Sequence, residues 1–133
     1  ATGKALEGTA GNVTYGPEPD NPVNKAFVSA WKAKFNRLPT DNEGLAYNGM
    51  QVMFEGVKKA GSVKPADVSK VLNGATVNSV YGPVVMRAAD HQLDLPNIVG
   101  RAKTVDGQVR PVIEQVFPLS INPAASPLCK MPG

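Results

Sequence analysis

Two adjoining stretches decide the fold: Pro22-Val23-Asn24-Lys25-Ala26-Phe27-Val28-Ser29-Ala30-Trp31-Lys32-Ala33-Lys34-Phe35, and Thr40-Asp41-Asn42-Glu43 leading to Val57-Lys58-Lys59-Ala60-Gly61. In the first, Val23, Phe27, Trp31 and Phe35 recur every four residues. Lys25, Lys32 and Lys34 fall largely off that stripe, the pattern of an amphipathic helix. Asp20 or Asn21 supplies a cap, Pro22 suits the first turn, where its missing N–H is not needed, and Pro39 ends the run. The second stretch opens on a capping box and stops at Gly61, with Lys58 and Lys59 at the negative end of the helix dipole. Its apolar stripe reads as Ala46, Met50, Met53 or Phe54, and Val57. Three glycines inside it (Gly44, Gly49, Gly56) each cost roughly 1 kcal/mol of helix propensity against Ala, which packing must offset.

Outward from these helices the pattern is mixed. Upstream, a helix ending near Gly8 gives way to a short strand over residues 9–15. The proline-rich connector Gly16-Pro17-Glu18-Pro19-Asp20-Asn21-Pro22 follows, too stiff for helix or inner strand. Downstream, a short helix over residues 65–72 closes at Gly74, and the periodicity then turns extended. Residues 76–81 and 84–87 read as strands split by Gly82-Pro83. Residues 97–105 and 109–117 read as a hairpin around Asp106-Gly107. Pro111 makes its last strand an edge or irregular one. From Pro118 the chain reads as a tail laid over a surface.

The bulk numbers narrow the function. The 133 residues are 42% hydrophobic and 19% charged, an ordinary globular balance. The net charge of +3 is spread along the chain rather than gathered into a basic face with stacking aromatics, so nucleic acid is not an expected partner. No run approaches the ~20 apolar residues of a membrane span. The single cysteine, Cys129, has no partner in this sequence, and no metal-ligand cluster is spaced for zinc. Asp90-His91 is the only acid–imidazole pair; neighbours in a turn seldom orient each other as a catalytic pair. No phosphate-cradling glycine loop precedes a helix. By itself the sequence reads as an α/β piece that is not an enzyme and needs no cofactor or metal.

A family resemblance adds to this. The run from Phe27 to Phe35, the proline at 39, Ala46-Tyr47 and Val57-Lys58-Lys59-Ala60-Gly61 resemble the leucine/isoleucine/valine-binding protein family. So, in order, do residues 68–74, Tyr81-Gly82-Pro83-Val84 with Arg87 and Asp90-His91-Gln92, and Ile98-Val99-Gly100. The match covers residues 8–112. The resemblance implies a type I periplasmic binding fold: two Rossmann-like α/β lobes, three crossovers, and a ligand in the cleft between the lobes. Such proteins are much longer, so this chain is expected to be a C-terminal part. Residues 1–16 would end the second lobe and residues 17–74 belong to the first. Residues 75–117 would cross back and complete the second, and residues 118–133 would form the tail.

By the same resemblance the hinge would lie at Gly16 and Pro17 and at Gly74 and Ala75. Tyr15 and Tyr47 would be the ligand contacts carried here, the main ones lying upstream of Ala1. The start of the second helix favours a carboxylate, although Glu43 already answers it. The implied ligand is a branched-chain amino acid or a related aromatic or aliphatic carboxylate or amide. The implied partners are an ABC-transporter permease and the missing N-terminal part of the same protein. The implied location is the periplasm, with a signal peptide upstream. The alternative is the ligand-sensing part of a signalling receptor of the same fold.

Overall fold

A computed structural model describes residues 3–129; the first two residues of the expected second-lobe segment and the last four of the tail lie outside them. The chain forms two packed bodies. The first holds helices α1 (Pro22–Phe35), α2 (Asp41–Ala60) and α3 (Pro65–Leu72), with strands β2 (Thr76–Ser79), β3 (Gly82–Met86) and β4 (Leu93–Asp94). The second is the sheet of β1 (Ala10–Asn12), β5 (Asn97–Val105) and β6 (Gln108–Phe117). Each sheet has three antiparallel strands, in the orders β1-β5-β6 and β2-β3-β4.

The caps act much as their residues dictate. The Asn21 side chain accepts the Asn24 N–H at 2.9 Å and starts α1, with Pro22 in the first turn. Asn36 ends that helix in the left-handed region, φ 52°, three residues before Pro39. At α2 the Glu43 carboxylate accepts the Thr40 N–H at 2.8 Å. Gly61 closes the helix at φ 59°. Asp106 and Gly107, at φ 50° and 77°, give the β5–β6 turn its two left-handed residues. β6 is an edge strand, so Pro111 forfeits no partner on its outer side. Opposite Val99 and Gly100 the register slips and leaves Glu114 as the extra residue, which pairs with Arg101 and Lys103.

Several local expectations are corrected. Upstream of Gly8 there is a 3-10 turn, Gly3–Leu6, and β1 covers only three residues, so Tyr15 lies beyond it. Gly82 and Pro83 do not split two strands but open β3, and a further short strand, β4, pairs with β3. Phe35 is 45% exposed and leaves the buried stripe of α1, where Asn24 is buried in its stead. The face of α2 is also reversed. Its buried residues are Gly44, Asn48, Val52 and Gly56, whereas Met50, Met53 and Phe54 are 48%, 56% and 62% exposed. Small residues won the inner face because the core approaches the helix closely there. A Cβ on Gly44 would stand 2.1 Å from the Tyr15 ring, and one on Gly56 2.8 Å from Leu72.

Two clusters hold the first body. Val52 and Leu72 from the helices meet Val77 and Val84 from the sheet. Tyr15, Phe27 and Val80 form the other, flanked by Trp31, Tyr47 and Tyr81. Burying an aliphatic or aromatic side chain of this size contributes about 1.5–3 kcal/mol. The sheet β2-β3-β4 thus packs with the helices. The shift of pattern near Gly74 is a change of secondary structure, not of packing partner.

Candidate functional site: a cleft between two bodies

Two stretches join the bodies, and they run side by side. Leaving β1, the Val13 N–H donates to the Ile98 carbonyl at 3.0 Å. The chain then passes through Thr14, Tyr15, Gly16 and Pro17 to α1. It returns through Leu95 and Pro96 into β5. On the helical side residues 14–19 are fastened to the first body. Asn24, 1% exposed, donates to the Pro17 and Pro19 carbonyls at 3.1 and 3.0 Å and accepts the Tyr15 hydroxyl at 2.7 Å. The Tyr81 hydroxyl donates to the Thr14 carbonyl, and burial raises the Tyr81 phenol to about 12. The Asn21 amide donates to the Val80 carbonyl at 2.8 Å.

Between the bodies lies a cleft of about 480 Å³. Its helical wall is the end of α1, the connection and the start of α2, with Lys32, Arg37, Pro39, Thr40 and Asp41. The opposite wall is the β5–β6 hairpin, with Asp106, Val109, Arg110 and Pro111, and Tyr15 and Pro17 line the junction. Arg37 is held by Glu43 through two bonds of 2.8 and 2.5 Å and lies over the Trp31 ring, 5.4 Å from its centroid. The Arg37 hydrogen bonds, helped by the Thr40 N–H, hold the Glu43 carboxyl at about 2, well below the usual carboxylate range. Arg110 is paired with Glu18 at 2.8 Å. Volume and mixed charge suit a small polar ligand.

The expected site residues fall in different places. Tyr15 borders the cleft but is 1% exposed, and burial raises its pKa; its hydroxyl is spent on Asn24 and its ring contacts Phe27 and Tyr81 edge-on. Tyr47 is half-buried and stacked on Phe27 at 4.1 Å, outside the residues that line the cleft. Gly16 and Pro17 lie at the junction of the bodies. Gly74 and Ala75 lie between α3 and β2, two elements of the same cluster, and join nothing across the cleft. Sequence reasoning passed over Arg37, Glu18 and Arg110. The only hints were an arginine just ahead of a helix start and an acid between two prolines. Asp90 is engaged by Arg87 and the Gln92 N–H, which depress its pKa, rather than by His91. Among the described residues no three potential metal ligands gather.

The family model for periplasmic binding proteins matches residues 1–108. The chain belongs to the periplasmic binding protein family. A Leu/Ile/Val-binding protein homologue of Brucella melitensis is 27% identical over 101 residues, 73% of this chain and 24% of that protein. The chain therefore spans about a quarter of the curated relatives it matches. Among solved structures, a branched-chain amino acid transporter protein of Rhodopseudomonas palustris superposes with a TM-score of 0.76 at 21% identity, over 96% of this chain and 34% of that one. A leucine-, isoleucine-, valine-, threonine- and alanine-binding protein of Brucella ovis, in its closed conformation, gives 0.72 at 23%, over 90% and 34%. A solute-binding protein of R. palustris BisB5 in complex with 3,4-dihydroxybenzoic acid gives 0.73 at 23%, over 86% and 32%. This periplasmic binding protein chain has their α/β fold, in part.

Proposed function

We propose that this chain is part of a periplasmic solute-binding protein that hands a branched-chain amino acid, or a related small carboxylate or amide, to the permease of an ABC transporter. One observation carries the reading: among the described residues, a cleft of about 480 Å³ is bounded by two bodies that two adjacent stretches join. A ligand touching both walls closes such a cleft, and the closed form is what a transporter recognises. The bodies are parts of the two lobes. The first lobe takes in β2, β3 and β4 with the helices, and the hinge is formed by residues 13–19 and 95–98, so that Gly16 and Pro17 belong to it. The Brucella ovis relative's amino acids and the R. palustris relative's dihydroxybenzoate define the two ligand classes to try. In the role proposed no bond is made or broken, and no cofactor is needed.

The test is thermal unfolding of the full-length protein against a panel of aliphatic amino acids, their amides and hydroxybenzoates. A ligand at a hundred times its Kd stabilises by about 2.7 kcal/mol, a shift of several degrees. A saturable shift from one class bears out the reading and names the ligand. A panel with no shift overturns it, as does catalytic turnover of any member.

A further inference from the structure

The segment that leaves the β5–β6 hairpin touches both joining stretches in turn. On β6, Arg110 pairs with Glu18 on the first stretch at 2.8 Å, its Nε buried without a partner. Glu18 stands between the two carbonyls that Asn24 holds, so it moves with the helical body, whereas Arg110 moves with the sheet. Of the ion pairs among the described residues, this is the one that ties the two bodies together. Gly16 makes the contact possible. A Cβ there would lie 2.3 Å from the Glu18 carboxylate and 2.9 Å from Ile113 of β6.

Beyond β6 the same segment reaches the second stretch. Asn122 donates to the Leu95 carbonyl at 2.9 Å and to the Asp94 carboxylate, and accepts from Asn97 at 2.6 Å. The next residue, Pro123, offers its carbonyl to Arg87 of the helical body at 2.8 Å. One continuous run of chain thus fastens each joining stretch to the body on the far side of it.

We propose that residues 110–123 are a strap that sets the angle between the two bodies, and so the ease with which the cleft closes. The proposal rests on the reading of residues 13–19 and 95–98 as the hinge of a binding protein. With the strap in place the hinge has fewer arrangements to lose on closure, so ligand binds more tightly than to a protein with a loose hinge.

The experiment uses the full-length protein and two readouts. Ligand affinity, by calorimetry with the panel member that shifts its melting, is measured for Glu18→Gln, Arg110→Gln, the double variant and the exchange Glu18→Arg with Arg110→Glu. Each single change weakens binding by roughly threefold, as befits a partly buried pair. The double variant is no weaker than either single one, and the exchange regains most of the loss. Hydrogen exchange of the unliganded protein supplies the second readout. Asn122→Ala and a stop after Phe117 both speed exchange at residues 94–98 and leave α2 unchanged. Unaltered affinity, additive losses, or unchanged exchange at residues 94–98 overturns the strap. If the wild type binds no panel member, the functional reading fails; exchange at residues 94–98 still decides whether the strap exists.

Discussion

Gly44 and Gly49 stand five residues apart on α2, and Gly→Ala is expected to act in opposite directions at the two. Either change removes a glycine from a helix and by propensity alone stabilises by about 1 kcal/mol. At Gly49 nothing lies within 4 Å of the added methyl, so that gain is kept. At Gly44 the methyl would meet three Tyr15 ring atoms at 2.1, 2.2 and 2.5 Å. An ordinary carbon contact is about 3.5–4.0 Å, so ring or helix must yield by more than 1 Å. The ring is not free to do so. It is 1% exposed, pinned through its hydroxyl to Asn24 at 2.7 Å, and set edge-on against Phe27 and Tyr81. Overpacking of a tight core costs about 1–3 kcal/mol, and with so little room the upper end applies. The net expectation is a loss of about 2 kcal/mol for Gly44→Ala and a gain of about 1 kcal/mol for Gly49→Ala. Urea unfolding of the full-length protein reads both, as midpoint shifts at constant slope. Shrinking the ring with Tyr15→Leu costs less in the Gly44→Ala background than in wild type, a coupling of about 1 kcal/mol or more. A Gly44→Ala protein as stable as wild type would refute the packing argument. So would equal effects at the two glycines.

Other outcomes follow from single residues. Asn24→Ala strips partners from the Tyr15 hydroxyl and from two carbonyls, and is expected to cost about 3 kcal/mol or more in urea unfolding. Glu43 has its carboxyl lowered from 4.5 to about 2 by Arg37 and Thr40, so its contribution is complete above pH 4.5 and fades as pH falls towards 2. Glu43→Gln should therefore flatten the fall in stability over that window, as measured by the urea midpoint against pH. The outer face of α2, with Leu45, Met50, Met53 and Phe54 exposed, should make this chain associate with itself or with the rest of the protein. Sedimentation should show mass rising with concentration, and Met53→Glu with Phe54→Glu should abolish the rise.

How much was legible depended on whether a signal was local. Caps, turns and strand ends rest on a few neighbouring residues, and Asn21-Pro22, Gly61, Asp106-Gly107 and the bounds of β5 stand where the sequence puts them. The inner face of α2 depends on what approaches it. The apolar stripe Met50, Met53, Phe54 is the larger in volume, and a single-sequence reading assigns it to the core. The ring of Tyr15 reverses that choice, because only Gly44 lets it in. Asn24 was unreadable for the same reason. A polar residue on a helix reads as solvent-facing until the carbonyls of Pro17 and Pro19 and the Tyr15 hydroxyl are placed around it. The cleft's ion pairs were further out of reach, since Glu18 and Arg110 are 92 residues apart and neither carries a local pattern.

The two faces of α2 also bear on what surrounds the chain. The outer side of α2 exposes Leu45, Met50, Met53 and Phe54, an apolar patch of the kind that a further layer covers. Its inner side is filled by Tyr15, Val80 and α3. The same imbalance is seen in the sheet β1-β5-β6, where Ile98 is the one buried hydrophobic of the core. Three strands with one buried anchor do not hold by themselves. Both bodies thus leave apolar surface for further layers, and the relatives matched here are about four times the aligned length. The parts that this chain does complete are the two joining stretches and the segment fastened across them. On the function proposed above, its share is the hinge and one corner of the cleft, and the choice of ligand falls to the walls that other residues build.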